Sequence, residues 1–219
     1  MSPTKKVKLG VFIPGGAQLL DTACVDIFAM GGQDYIKYAS KLPQAVRDQA
    51  PDISILYIAP GKTIPLTAEM NILATHDLSH PDVQPGLLDV LLVPGPEPGS
   101  LWDEATLEFL RRHARVEATD ILCVCTGIEL CAAAGITEGK TVSGPMWMQD
   151  GLKKQYPGTK WVGDKYRWIQ DGNFWSSGGI TNGNDLVAAY ARGGKHFSPP
   201  LAEFVCKMAD VGDRPQRYD

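Results

Sequence analysis

Three near-continuous apolar runs, each stopped by Pro-Gly, set the strongest limit on what this chain can fold into. Residues 7–13 end at Pro14-Gly15-Gly16, residues 53–59 (ISILYIA) at Pro60-Gly61, and residues 87–93 (LLDVLLV) at Pro94-Gly95-Pro96. A strand with one wet face alternates apolar and polar side chains. Unbroken runs of this kind read as strands covered on both faces, which is the habit of parallel sheets. Parallel neighbours need crossover connections, and the intervening segments supply helical patterns. Residues 20–30, closed by Gly31-Gly32, read as the first helix. Residues 103–114 follow as an amphipathic helix, with Leu107 and Leu110 on one stripe and Arg111, Arg112 and Arg115 toward its C-terminus, where cations suit the helix dipole. Residues 181–191 and 200–208 read as the last two helices.

The remaining segments are less regular. Residues 71–75 suggest a further strand, and residues 35–49 a mixed, helical insertion. From Lys160 the texture changes to short aromatic strands at 160–162, 167–170 and 173–176, with a hairpin turn at Asp171-Gly172-Asn173. The tail, DVGDRPQRYD, reads as loosely ordered. With 219 residues, 44% of them hydrophobic, the chain can bury one large core. The expectation is an α/β fold with a mostly parallel sheet covered on both faces, as a single domain over residues 1–219. Ligands of such sheets sit outside the carboxyl ends of the strands.

Cys125 is the residue that this frame singles out. Residues 120–125 form another apolar strand, and it runs straight into a helical pattern over 126–134 (CVCTGIELCAAAG from Cys123). A strand that turns sharply into a helix pushes one side chain out of the sheet, the geometry of a nucleophile elbow with sulfur in place of oxygen. Helix N–H groups aimed at the sulfur favour an anion, so a lowered thiol pKa is expected. The alternative is a buried core cysteine, and Cys123, of the same strand parity, fits that description. Cys131 also reads as packing.

Composition excludes several classes. The 21 basic and 25 acidic residues, formally −4, contain no basic tract, so no nucleic-acid partner is expected. The first apolar run is too short for a signal peptide or a membrane span, so no membrane association is expected. The five cysteines are odd in number and hold no CxxC pair, which suits a reducing, cytoplasmic compartment. The four histidines form no HExxH. His76 and His80 are four apart, but Pro81 and the neighbouring Asp and Ser place them in a loop. Neither a metal site nor a cofactor is therefore expected, and the small-molecule chemistry falls to side chains.

Taken together, GVFIPGGAQLLD, LLVPG, VCTGIELCAAAGITEGK and DGNFWSSGGITNGNDL resemble the DJ-1/PfpI superfamily over nearly the whole chain. The W-x-S-x-G-x-T-x-G-x-D pattern from Trp175 to Asp185 is specific to it. The resemblance implies a flavodoxin-like three-layer sandwich and a homodimer. Within the superfamily the chain is most similar to the isonitrile hydratase-like branch, where an aspartate and a threonine accompany the cysteine; the matching residues are Asp21, Cys125 and Thr126. The activity implied is hydration of an isonitrile to an N-substituted formamide, through the Cys125 thiolate and proton transfer by Asp21. Glyoxalase-like aldehyde chemistry and a non-enzymatic redox-sensing or chaperone-like role are the alternatives. Gly95 is assigned an N–H toward a developing anion, and Cys24 and Thr181 places near the substrate. Two departures stand out. Pro96 replaces a glycine and so offers no N–H, and Pro145 stands where the superfamily often has a histidine. Asp21 and Thr126 also admit a plainer reading as helix-end groups.

Overall fold

The computed structural model describes residues 4–96 and 99–218. Ten strands are present among them: β1 (Lys6–Phe12), β2 (Asp52–Ile58), β3 (Thr63–Leu66), β4 (Met70–Leu73), β5 (Val90–Val93), β6 (Asp120–Val124), β7 (Thr141–Val142), β8 (Lys160–Trp161), β9 (Trp168–Asp171) and β10 (Phe174–Ser177). The helices are α1 (Val25–Gly31), α2 (Gln33–Ile36), α3 (Gln44–Arg47), α4 (Glu104–Ala114), α5 (Gly127–Ala133), α6 (Gln149–Gln155), α7 (Asn182–Arg192) and α8 (Pro199–Ala209).

Six strands make the main sheet in the order β2-β1-β5-β6-β10-β9. All neighbouring pairs are parallel except β10 with β9. Successive side chains leave a strand on opposite faces, and the core divides accordingly. Leu9, Val11, Val90, Leu92, Leu122 and Val124 pack with Phe28 of α1, Leu186 and Tyr190 of α7, and Leu201 of α8. Phe12, Leu91, Val93, Ile121 and Cys123 pack on the other face with Leu110 of α4, Ile128 of α5 and Leu152 of α6. This is an α/β sandwich with a largely parallel sheet between helices, and double-sided burial accounts for the unbroken apolar runs. Each fully buried Leu or Val contributes about 1.5–3 kcal/mol relative to exposure.

The smaller elements depart from expectation. The first helix breaks in two, because Leu19–Thr22 forms a 3-10 turn before α1 begins at Val25. Residues 35–49 hold only the short helices α2 and α3. The pair β3–β4 is a separate antiparallel hairpin, latched to the sheet's end where Ala17 bridges Leu66 and Thr67 Oγ1 accepts from the Leu19 N–H at 2.9 Å. The tail is tied down rather than loose. The Tyr218 N–H donates to Lys165 O at 2.9 Å, Asn182 Nδ2 donates to the Tyr218 hydroxyl at 2.7 Å, and Arg214 pairs with Asp185.

Candidate active site

The order β2-β1-β5-β6 reverses direction between β1 and β5, and the crevice at such a switch point is where open α/β sheets bind ligands. Three strand-end segments meet there. Asp21 comes from the 3-10 turn after β1, Gly95 from the end of β5, and Cys125 from the junction of β6 and α5. Cys125 has φ 55°, a left-handed conformation that costs a non-glycine residue roughly 1–2 kcal/mol. Its backbone is held by a hydrogen bond from the Cys125 N–H to Ser177 O at 3.2 Å. Gly127 makes the turn possible, since a Cβ there would stand 2.5 Å from Val93 O.

Asp21 is fully buried. The Gly95 N–H donates to its Oδ2 at 3.0 Å, while Oδ1 has no hydrogen-bond partner of good geometry. Burial raises the Asp21 pKa to about 6, against the opposing pull of the Gly95 N–H and the Cys125 thiol beside it. Cys125 is 7% exposed. Its thiol is pushed up to about 11, first by burial and then by the Asp21 charge, while the N–H groups of Ile180 and Thr126 pull it down. The expected lowered thiol pKa is therefore not found. The two N–H groups do face the sulfur, but desolvation and a neighbouring carboxylate outweigh them.

The other site residues of the sequence reading divide. Thr126 is buried at the start of α5, and its side chain caps nothing; the hydroxyl donates to Pro96 O at 2.7 Å. The single N–H of Gly95 goes to Asp21, so it is not a donor for a developing anion. The carbonyl of Pro96 serves Thr126, a role that needs no N–H. Cys24 lies next to Asp21 but is sealed at 1% exposure, with its thiol donating to Asp21 O at 3.4 Å and its pKa raised to about 12 by burial and by Asp21. It faces the core, not the substrate space. Thr181 is exposed at the start of α7 and borders a different hollow, with Asn184 and Arg214.

A cavity of about 570 Å³ opens over Cys125 and Thr126, walled by Gln18, Thr67, Pro96, Trp147, Gly179 and Ile180. Gln18, Thr67 and Ile180 were not singled out from the sequence. Ile180, at φ 39°, has its one sequence signal in the preceding Gly178-Gly179. Trp147, 73% exposed, stands at the mouth. None of the four histidines lines this cavity. His113 is locked between Phe109 O (2.8 Å) and Val83 O (3.0 Å). His196 is buried near Lys5, Asp89 and Asp120, at the opposite ends of the strands, with its pKa lowered to about 4 mainly by burial. His76 and His80 lie near the end of β2, together with Asp82.

A cysteine and a buried carboxyl at the carboxyl edge of a parallel sheet define a class of α/β proteins built around one thiol. Residues 39–192 match the DJ-1/PfpI family, and the chain belongs to that family. It is 31% identical over 152 residues to the isonitrile hydratase of Pseudomonas putida, an alignment covering 68% of this chain and 63% of that protein. The match thus spans less than two thirds of the relative's length. Drosophila melanogaster DJ-1beta superposes with a TM-score of 0.72 at 18% identity, over 95% of this chain and 99% of that one. An AraC family transcriptional regulator from Pseudomonas putida does so with a TM-score of 0.73 at 14% identity, over 93% and 99%. These two likenesses are of fold alone. Among the described residues no helix is long and apolar enough to cross a membrane.

Proposed function

We propose that this chain is a cofactor-independent cysteine enzyme of the isonitrile hydratase type, with Cys125 on a nucleophile elbow. The observation that carries the reading is the fully buried Asp21 carboxyl, held by the Gly95 N–H beside the Cys125 thiol. Burying a carboxyl without a cation is costly, and active sites are where such cost recurs. Between pH values of about 6 and about 11 the Asp21–Cys125 pair holds one proton, which is what addition of a thiol across an isonitrile requires.

The steps balance without a redox partner. Sulfur attacks the terminal isonitrile carbon while Asp21 takes the thiol proton and delivers it to that carbon, giving a thioimidate. Water then adds to the carbon, with Asp21 again moving the proton. The C–S bond breaks, sulfur regains its proton, and an N-substituted formamide leaves. The N–H groups of Thr126 and Ile180, aimed at the sulfur, steady its negative charge during both sulfur steps. Pro96, Trp147 and Ile180 offer apolar walls to the substituent on nitrogen.

The alternatives have less support. A peroxide sensor needs an accessible thiolate, whereas this thiol is 7% exposed with its pKa raised. Glyoxalase chemistry calls for a second proton-transfer group, and the cavity offers no histidine. The decisive experiment is a substrate panel of an aryl isonitrile, methylglyoxal and a p-nitrophenyl ester. Isonitrile turnover should vanish in Cys125→Ala and fall more in kcat than in KM in Asp21→Asn. Retained turnover in Cys125→Ala would refute the scheme.

A further inference from the structure

By sequence His76 and His80 are loop residues with no metal-site spacing, yet the fold brings them together with Asp82. One ligand atom from each of the three lies within 4.8 Å of the others. The imidazole rings stand edge to face with centroids 4.3 Å apart. None of the three lines the Cys125 cavity. We propose that His76, His80 and Asp82 form a binding site for a divalent cation of the zinc class.

Thr75 Oγ1 accepts from the Tyr57 N–H at 2.9 Å and stands 2.8 Å from His76 Nδ1. An ion held on His76 Nε2 selects the Nδ1–H tautomer, and that N–H then donates to Thr75 Oγ1. A histidine oriented through its other nitrogen is the usual state of a metal ligand. His80 Nδ1 accepts the Asp82 N–H at 3.2 Å with the Asp82 carboxylate 3.9 Å away, so the ring must turn off that N–H to give the same lone pair to an ion.

The backbone holds the cluster in place before any ion arrives. His76 is fixed to the end of β2 on both sides, through His76 N to Tyr57 O (3.1 Å) and Ala59 N to His76 O (3.1 Å). The next turn is closed by Asp77 Oδ1 on the Ser79 N–H (2.8 Å) and by Gln84 Nε2 on His80 O (2.9 Å). Tetrahedral zinc with bonds of about 2.1 Å needs ligand atoms about 3.4 Å apart. Torsions of the half-exposed His80 and the exposed Asp82 close that difference. Two imidazoles and a carboxylate leave a fourth position to water. This donor set suits zinc, whereas magnesium and calcium prefer oxygen alone. The charges of Asp77 and Asp82 favour a cation at His76, and that of Lys8 opposes it.

The test is zinc titrated against the full chain in competition with a chromogenic chelator. One zinc per chain is expected, with affinity reduced by more than roughly 100-fold in His76→Ala and in His80→Ala, and by roughly 10–100-fold in Asp82→Asn and in Thr75→Val. Cys125→Ala should bind as wild type does. His76 and His80 are half-exposed and Asp82 is exposed, so these three positions tolerate change, and circular dichroism checks that every variant folds. Cobalt in place of zinc should give d–d bands with no sulfur-to-metal charge transfer. Zinc binding that survives the His76→Ala, His80→Ala double variant, a sulfur charge-transfer band that disappears in Cys125→Ala, or the absence of any stoichiometric binding would overturn the proposal.

Discussion

The Gly95 N–H donates to Asp21 Oδ2 at 3.0 Å across a sequence separation of 74 residues. One hydrogen bond thereby joins the end of β5 to the turn after β1 and fixes the carboxyl against Cys125. The position tolerates no side chain. A Cβ on Gly95 would stand 2.4 Å from both Asp21 Oδ2 and Thr126 Oγ1.

Gly95→Ala should therefore displace Asp21 or Thr126. The expected cost is about 1–3 kcal/mol of stability from overpacking, and a loss of turnover near 100-fold from misplacing the proton carrier. Chemical denaturation and isonitrile kinetics measure the two effects. Wild-type turnover in a folded Gly95→Ala would remove Asp21's position from the mechanism.

The parts of this fold legible in the sequence are those where burial constrains every residue. β1, β5 and β6 are covered on both faces, so their apolar runs are unbroken and their ends sharp. Cys125 was found because a strand and a helix abut it. The β3–β4 hairpin was harder to see. Its turn places Ala68 (φ 63°) and Glu69 (φ 60°) in left-handed conformations without the Asn or Gly that usually marks such a turn, and Pro65 sits within β3. Gly95's true partner was hidden because which acceptor an N–H meets depends on how distant segments pack. Ile180 acts through its backbone, which its side chain does not advertise. The tail reads as loosely ordered by composition, yet Arg214, Gln216 and Tyr218 each find a partner in the 165–185 region.

Cysteine labelling should be selective and slow. Cys24, Cys123, Cys131 and Cys206 are each at most 1% exposed, against 7% for Cys125. Iodoacetamide followed by peptide mapping should modify Cys125 first. Its rate should keep climbing above pH 8, because burial and Asp21 push the thiol up to about 11. A rate that levels off below pH 8, or Cys24 labelled alongside Cys125, would contradict this account.

Self-association is expected from the surface beside the cavity. Trp147 (73% exposed) lines the cavity, and Leu20 (51%) and Met146 (50%) follow or precede lining residues closely in the chain; exposed apolar area of this kind commonly marks a contact. Light scattering at micromolar concentration should give twice the 23.7 kDa chain mass, and Trp147→Glu should shift it toward monomer. A wild-type mass of one chain would end the dimer expectation.

The pH dependence tests Asp21 twice. Its pKa rises from 3.8 to about 6 on folding, chiefly through burial, so between those values the native state holds more protons than the unfolded one. The contribution of Asp21 to stability then falls as pH rises from about 4 to about 6 and levels off above, the opposite of a salt-bridged carboxylate, while His196, lowered to about 4 by burial, contributes a rise over the same window, so the Asp21 part is read from the difference between wild type and Asp21→Asn. Asp21→Asn keeps an acceptor for the Gly95 N–H and removes the charge. Its stability relative to wild type should grow over that window, by at most about 3 kcal/mol at pH 7. Activity should move the other way. Wild-type kcat/KM should rise with pH through a limb near 6 as Asp21 becomes a base, and the small remaining activity of Asp21→Asn should lack that limb. Thermal melts and pH–rate profiles on both proteins measure this directly. A stability difference between Asp21→Asn and wild type that is flat from pH 4 to 7, or an acid limb that persists in Asp21→Asn, would show that the buried carboxyl is not the group that moves the proton.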